Sequence, residues 1–144
     1  MIEIDKNLVL NLLKQAQSSS RLRQNYDLRT SVKDGGQRML NALMPGTEVP
    51  IHRHPNSNES VLLLCGKLVE ILYEEESDVS ETDNQSDSGK KALKEIARYI
   101  LDPTIGNYGC VVPVGVWHTV EVLEPSVIYE AKDGKYGEDG SEMW

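Results

Sequence analysis

The chain has little histidine, little cysteine and no long hydrophobic run, and each scarcity excludes something. Of its 144 residues only three are histidine and two are cysteine. No apolar stretch is long enough to cross a bilayer as a helix, and the N-terminal "MIEIDKNLVLNLLKQ" lacks the cleavage pattern of a secretory signal. A cytoplasmic location with no membrane partner is therefore expected. Cys65 and Cys110 lie in separate apolar runs with no CxxC spacing, which reads as two small buried hydrophobes rather than a disulfide or a reactive pair. Positive charge is scarce too. The net charge is −8, and the seven acids of "EEESDVSETDNQSDS" (74–88) account for all but one unit of it. The rest is close to neutral, so a nucleic-acid partner is not expected. The acidic stretch reads as a solvated insertion between strands, with a calcium- or partner-binding role as the alternative.

What is present is mostly β pattern in one domain-sized chain. Asp5 can cap an opening helix in which Leu8, Leu12, Leu13 and Ala16 share a face, ending at Ser18–Ser20. Short strand-like runs follow at 38–44, 48–54, 60–66, 67–73, 95–101, 108–113, 117–123 and 126–132, punctuated by Gly, Pro, Asn and Asp. The segment "KKALKEIARYIL" (90–101) can also be read as beginning in a helix. The pattern predicts an all-β-dominated sandwich or barrel with an N-terminal helix. Its expected parts are a helical segment 1–20, a β-barrel 21–137 with an insertion at about 74–90, and a tail 138–144.

The three histidines are not scattered. His52 and His54 alternate with Arg53 in "PIHRHP", so on a strand both imidazoles share a face and Arg53 takes the other. The turn "PNSN" would return the chain as a hairpin with Glu59 opening the next strand beside His54. His118 follows "VPVG", read as a type I turn over 112–115, on a strand able to run beside that hairpin. Three imidazoles and a carboxylate suit one divalent transition metal (Fe, Mn, Ni, Co or Zn) with positions left for a ligand, and the lack of cysteine argues against a structural zinc. Glu59 is also the candidate base. Alternation of Glu59, Val61, Leu63 and Cys65 would place Cys65 deep in the barrel. Arg21, Arg23, Tyr26 and Arg38 are the candidate ligand-binding residues for a small, possibly anionic molecule, and Asn25, Lys132 and Tyr136 are weaker ones.

The stretch Gly46–Gly66 resembles the first cupin motif, G(x)5HxH(x)3–4E(x)6G, at Gly46, His52, His54, Glu59 and Gly66. Pro113, Gly115 and His118 resemble the second, G(x)5PxG(x)2H(x)3N. That motif departs at Gly106, which has six residues before Pro113 instead of five, and at Val122, where Asn is usual. "LRQNYDL", "QRMLNALMPGTEVPIHRHP", "GNYG", "WHTVEVLEP" and "YEAKDGKYG" look like the WbuC family of cupin-fold metalloproteins, apart from the acidic insertion after Tyr73. The resemblance implies a double-stranded β-helix (jelly roll), a metal site and a setting in surface-polysaccharide (O-antigen) gene clusters. The functions to separate are a metal-dependent, isomerase-like enzyme on a sugar or sugar acid, an Fe(II) dioxygenase, and a non-catalytic small-ligand binder. Pairing through exposed strands makes a homodimer the expected assembly.

Overall fold

The structure, a computed structural model, describes residues 1–76 and 91–144. Most of the acidic insertion, 77–90, therefore lies outside the described residues. The opening helix α1 (Lys6–Ser18) starts where its cap predicts, with Asp5 accepting from Leu8 N at 2.9 Å. Among the described residues eight strands follow: β1 (Arg23–Asp27), β2 (Gly36–Leu43), β3 (His52–Arg53), β4 (Glu59–Glu75), β5 (Leu93–Leu101), β6 (Gly109–Val112), β7 (Trp117–Asp133) and β8 (Glu142–Met143).

The frame is two long strands, β4 and β7, paired antiparallel from Ser60↔Ala131 to Tyr73↔Trp117. The other edge of β7 carries β2 along its C-terminal half and β3 near its start, through His52↔His118. The other edge of β4 carries β6 and then β5. β1 extends β2, and β8 extends β3. The halves of β4 and β7 thus contribute to two facing layers, a cupin jelly roll, and the expected fold class is the one found.

The sequence pattern divides each long strand into two, 60–66 and 67–73 for β4 and 117–123 and 126–132 for β7. Both instead run on through a corner, where the β4–β7 register shifts between Leu63 and Leu68. Gly66 makes that corner possible. Its φ is +92°, and a Cβ there would collide with the Pro125 carbonyl oxygen and with Ser126. Ser126, fully buried, staples the corner by accepting from Lys67 N at 3.1 Å and donating to Glu124 O at 2.7 Å. The shift also changes the phase of β4. Glu59, Val61 and Leu63 face the barrel interior before it, and Leu68 and Glu70 after it. Cys65, inside the irregularity, packs with the helix cluster and not deep in the barrel as strict alternation implied.

Two apolar clusters follow from these phases. Leu43, Val61, Leu63, Leu68, Leu101, Val122 and Ile128 pack together in the barrel, with Cys110 and Val120 against them. Leu12 and Ala16 of α1 pack on Leu40, Ala42 and Val127 on the outer face of β2 and β7. The helix therefore covers a sheet face that would otherwise expose aliphatic side chains. The segment from Leu93 is strand, not helix, because it completes the ladder along β4 from Glu75↔Leu93 to Leu68↔Leu101.

A candidate metal centre at the head of a cavity

His52 and His118 face each other directly across the β3–β7 ladder, and His54 follows two residues on. The expected 52–59 hairpin is not formed. β4 pairs at Glu59 with Val112 of β6, and Asn58 holds the neighbouring turn by accepting from Val114 N at 2.8 Å. Glu59 therefore meets the histidines across the barrel interior and not along a ladder. The turn before His118 also differs from its reading. It closes one residue later, from Val116 N to Pro113 O at 3.3 Å, with Gly115 in third position at φ +78°, a left-handed residue that type I turns lack.

One ligand atom from each of His52, His54, Glu59 and His118 lies within 4.8 Å of the others. The ring centroids are 4.3 Å apart for His52 and His118, 5.0 Å for His52 and His54, and 5.3 Å for His54 and His118. Every Nδ1 is engaged behind the ring. His52 and His118 donate to the carbonyls of Pro50 and Val116, both at 2.9 Å, and His54 Nδ1 lies 2.7 Å from Ser141 Oγ. For His52 and His118 that fixes the tautomer in which Nε2 presents a lone pair to the common centre. The buried Nε2 atoms of His54 and His118 have no hydrogen-bond partner. Buried polar atoms left unpaired cost stability, and one cation at the centre would satisfy them together with the Glu59 carboxylate, which touches His54. The residues fit a divalent metal.

The electrostatics agree. Burial, with the charge of nearby His118, pushes His52 down to about 4, so this imidazole is neutral at pH 7 and free to ligate. Burial alone would raise Glu59, but the adjacent His118 and His54 outweigh it and hold the carboxyl well below its usual range. His118 is raised in turn, Glu59 overcoming the opposite effect of burial. Burial pushes the Cys110 thiol up to about 12 and raises Cys65, and both are free thiols, which suits packing and not nucleophilic chemistry.

Behind His54 stands a network that the sequence did not reveal. Asp139 accepts from both Lys132 and Ser141, and Lys132 Nζ lies 3.1 Å from His54 Nδ1. Burial would raise Asp139, but Lys132 and Ser141 bring it down to about 2. Residues 138–144, read as a tail, thus supply two members of the site's support and then return as β8. Trp144 N donates to Ile51 O at 2.9 Å, and its ring meets Trp117 edge-on at 5.1 Å. Arg53 points away from the centre, pairing with Glu142 and Glu75 and lying over Trp117 at 4.4 Å.

The four residues sit at the head of a cavity of about 470 Å³. Arg21, Arg23, Asn25, Lys132 and Tyr136 line it, as do Gln37, Asn41, Glu70 and Glu130, which sequence reading missed. Tyr26 and Arg38 do not. Tyr26 is out of phase with Arg23 and Asn25 on β1. Arg38 lies on the outer face of β2 with Leu40 and pairs with Asp34 at 2.6 Å. The signal for Glu70 was a lone acid in the apolar run "KLVEILY", but its facing depends on the corner at Gly66.

Comparison with known proteins yields one family and a set of folds. The family profile described as Domain of unknown function (DUF6016) matches residues 4–84, more than half of the chain. No curated protein matches the chain. Among solved structures, an oxalate oxidase in complex with the substrate analogue glycolate superposes with a TM-score of 0.57 at 16% identity, over 88% of this chain and 57% of that one. KdgF from Halomonas sp. gives 0.52 at 14% identity, over 82% and 84% of the two chains. The cupin domain of Schizosaccharomyces pombe Cnp3 gives 0.53 at 10% identity, over 79% and 62%. The chain spans 57% of the oxalate oxidase's length, and at these identities the likeness is one of fold. The chain belongs to the DUF6016 family and is built on the cupin fold.

Proposed function

We propose that this protein is a divalent-metal-dependent cupin enzyme acting on a small sugar or sugar-acid ligand by isomerase-like carbonyl chemistry. The observation that carries the reading is the convergence of His52, His54, Glu59 and His118, with orphaned buried Nε2 atoms, on one point of a ligand-sized cavity. A divalent ion held there would polarise a carbonyl or bind two vicinal oxygens of the ligand. The remaining roles fall to the chain. Glu59, kept ionised, is placed to take a proton from a carbon bound beside it. Arg21 and Arg23 line the cavity, and among the described residues no carboxylate lies within ion-pair distance of either, which supports an anionic group on the ligand. The apolar walls from Val61, Val120 and Ile128 exclude water around the reacting carbon.

The affiliation with WbuC cupins, and with it a place in surface-polysaccharide metabolism, belongs to the same proposal and rests on the sequence segments quoted above. So does a homodimer, supported by the exposed apolar Ile96, Tyr99 and Ile100 on β5. The test of the chemistry is incubation of metal-reconstituted protein with a panel of aldoses and hexuronic acids in deuterated water, run in parallel without oxygen and in air with an oxygen electrode. Deuterium incorporation beside the carbonyl, lost in Glu59→Gln, is expected. Oxygen consumption with no exchange would replace the reading with a dioxygenase.

A further inference from the structure

The cavity that holds the candidate metal centre has a second polar feature. Glu70 is 1% exposed, and neither carboxylate oxygen has a hydrogen-bond partner among the described residues. Gln37 donates its amide to Glu130 Oε1 at 2.9 Å, which leaves its own buried Oε1 without a donor. Glu70, Gln37 and Glu130 come from β4, β2 and β7, and all three line the same cavity. Among the described residues no Lys or Arg lies within ion-pair distance of Glu70 or Glu130. Acceptors are thus fixed on rigid strands, in a cavity whose walls also include the apolar Met39, Val61, Val120 and Ile128. An unsatisfied buried acceptor is costly unless a donor arrives.

We propose that Glu70, Gln37 and Glu130 form a donor-recognising subsite that takes the hydroxyl groups of a ligand whose oxygen-bearing end lies at His52, His54, Glu59 and His118. A polyol chain matches this wall, because its C–H groups meet the aliphatic side chains while its O–H groups reach the acceptors. An ammonium ligand matches it less well. Burial pushes Glu70 up to about 8 and Glu130 up to about 7, so neither is a firmly fixed anion near neutral pH. A protonated carboxyl both gives and takes a hydrogen bond, as a hydroxyl partner requires. The inference rests on the proposed function for the anchoring of one end of the ligand, and adds which chemistry the other end carries.

The test compares two six-carbon carboxylates, gluconate and hexanoate, which share the anionic end and differ in hydroxyl groups. Binding is measured by calorimetry on wild type, Glu70→Gln and Glu70→Leu, in both zinc-loaded and metal-free protein, with thermal unfolding as the check on folding. Wild type is expected to favour gluconate at least tenfold. Glu70→Leu should lose most of that preference through weaker gluconate binding, with hexanoate changed less than about threefold. Glu70→Gln, which keeps one carbonyl acceptor, should fall between and serves alone if the leucine variant does not fold. Equal affinities in wild type, or a preference untouched by either substitution, would overturn the subsite. If the protein takes up neither zinc nor iron, manganese, nickel or cobalt, the metal-dependent reading fails by itself. The preference is then read on metal-free protein, where its presence supports the subsite and its absence overturns it.

Discussion

Removing the buried acid at position 70 should flatten the pH dependence of stability in the metal-free protein. Burial raises the Glu70 carboxyl from 4.5 to about 8, with Glu59 and Glu130 adding to the effect and His118 opposing it. A carboxyl with a raised folded-state pKa holds its proton in the native state after the unfolded chain has lost it. Its contribution to stability therefore declines as pH rises above 4.5, and levels off only beyond about 8. At about 1.4 kcal/mol per pH unit, Glu70 alone should cost about 3 kcal/mol between pH 5 and pH 8. With urea m-values of about 1–3 kcal/mol/M for small domains, that is a midpoint shift of roughly 1–3 M. The assay is urea unfolding of chelator-treated wild type and Glu70→Gln at both pH values, followed by tryptophan fluorescence. The wild type should lose more stability than the variant over this interval, by that margin. Parallel losses would refute the reasoning, because Glu70 would then be ionised or solvated in the native state.

Two further outcomes follow from named contacts. Gly66→Ala should destabilise the protein by at least about 2 kcal/mol in the same unfolding assay, since the corner needs both a positive φ and the space beside Pro125 and Ser126. Asp139→Ala should weaken metal affinity about 10–100-fold without removing a ligand residue, as Lys132 and Ser141 lose the partner that holds them behind His54; competition with a fluorescent chelator measures it.

The candidate site was more legible in the sequence than its surroundings, for a physical reason. The alternation of His52, Arg53 and His54 is a strand period, and Pro113 with Gly115 marks the turn that delivers His118 to the opposite strand; both signals are local. The helix was legible from its Asp5 cap and its apolar stripe. The long-range features were not. That β4 and β7 each continue through a corner depends on Gly66 meeting Ser126, sixty residues away. The change of phase there decides that Glu70 faces the cavity and that Cys65 faces the helix. Arg38 was misplaced because both faces of β2 carry apolar residues, Leu40 and Ala42 beneath the helix and Met39 and Leu43 inside the barrel. Alternation could not say which face was inner. Nor did short, polar residues 138–141 signal that they close over His54.

Binding of one divalent ion by His52, His54, Glu59 and His118 underlies the proposed chemistry. Its most direct test is elemental analysis of protein purified without added metal and again after reconstitution, beside His52→Ala and His118→Ala. Near-stoichiometric iron, manganese, nickel, cobalt or zinc in the wild type, absent from folded variants, is the predicted result. A wild type that holds no metal and gains none on reconstitution, or variants that retain it in full, would contradict the claim.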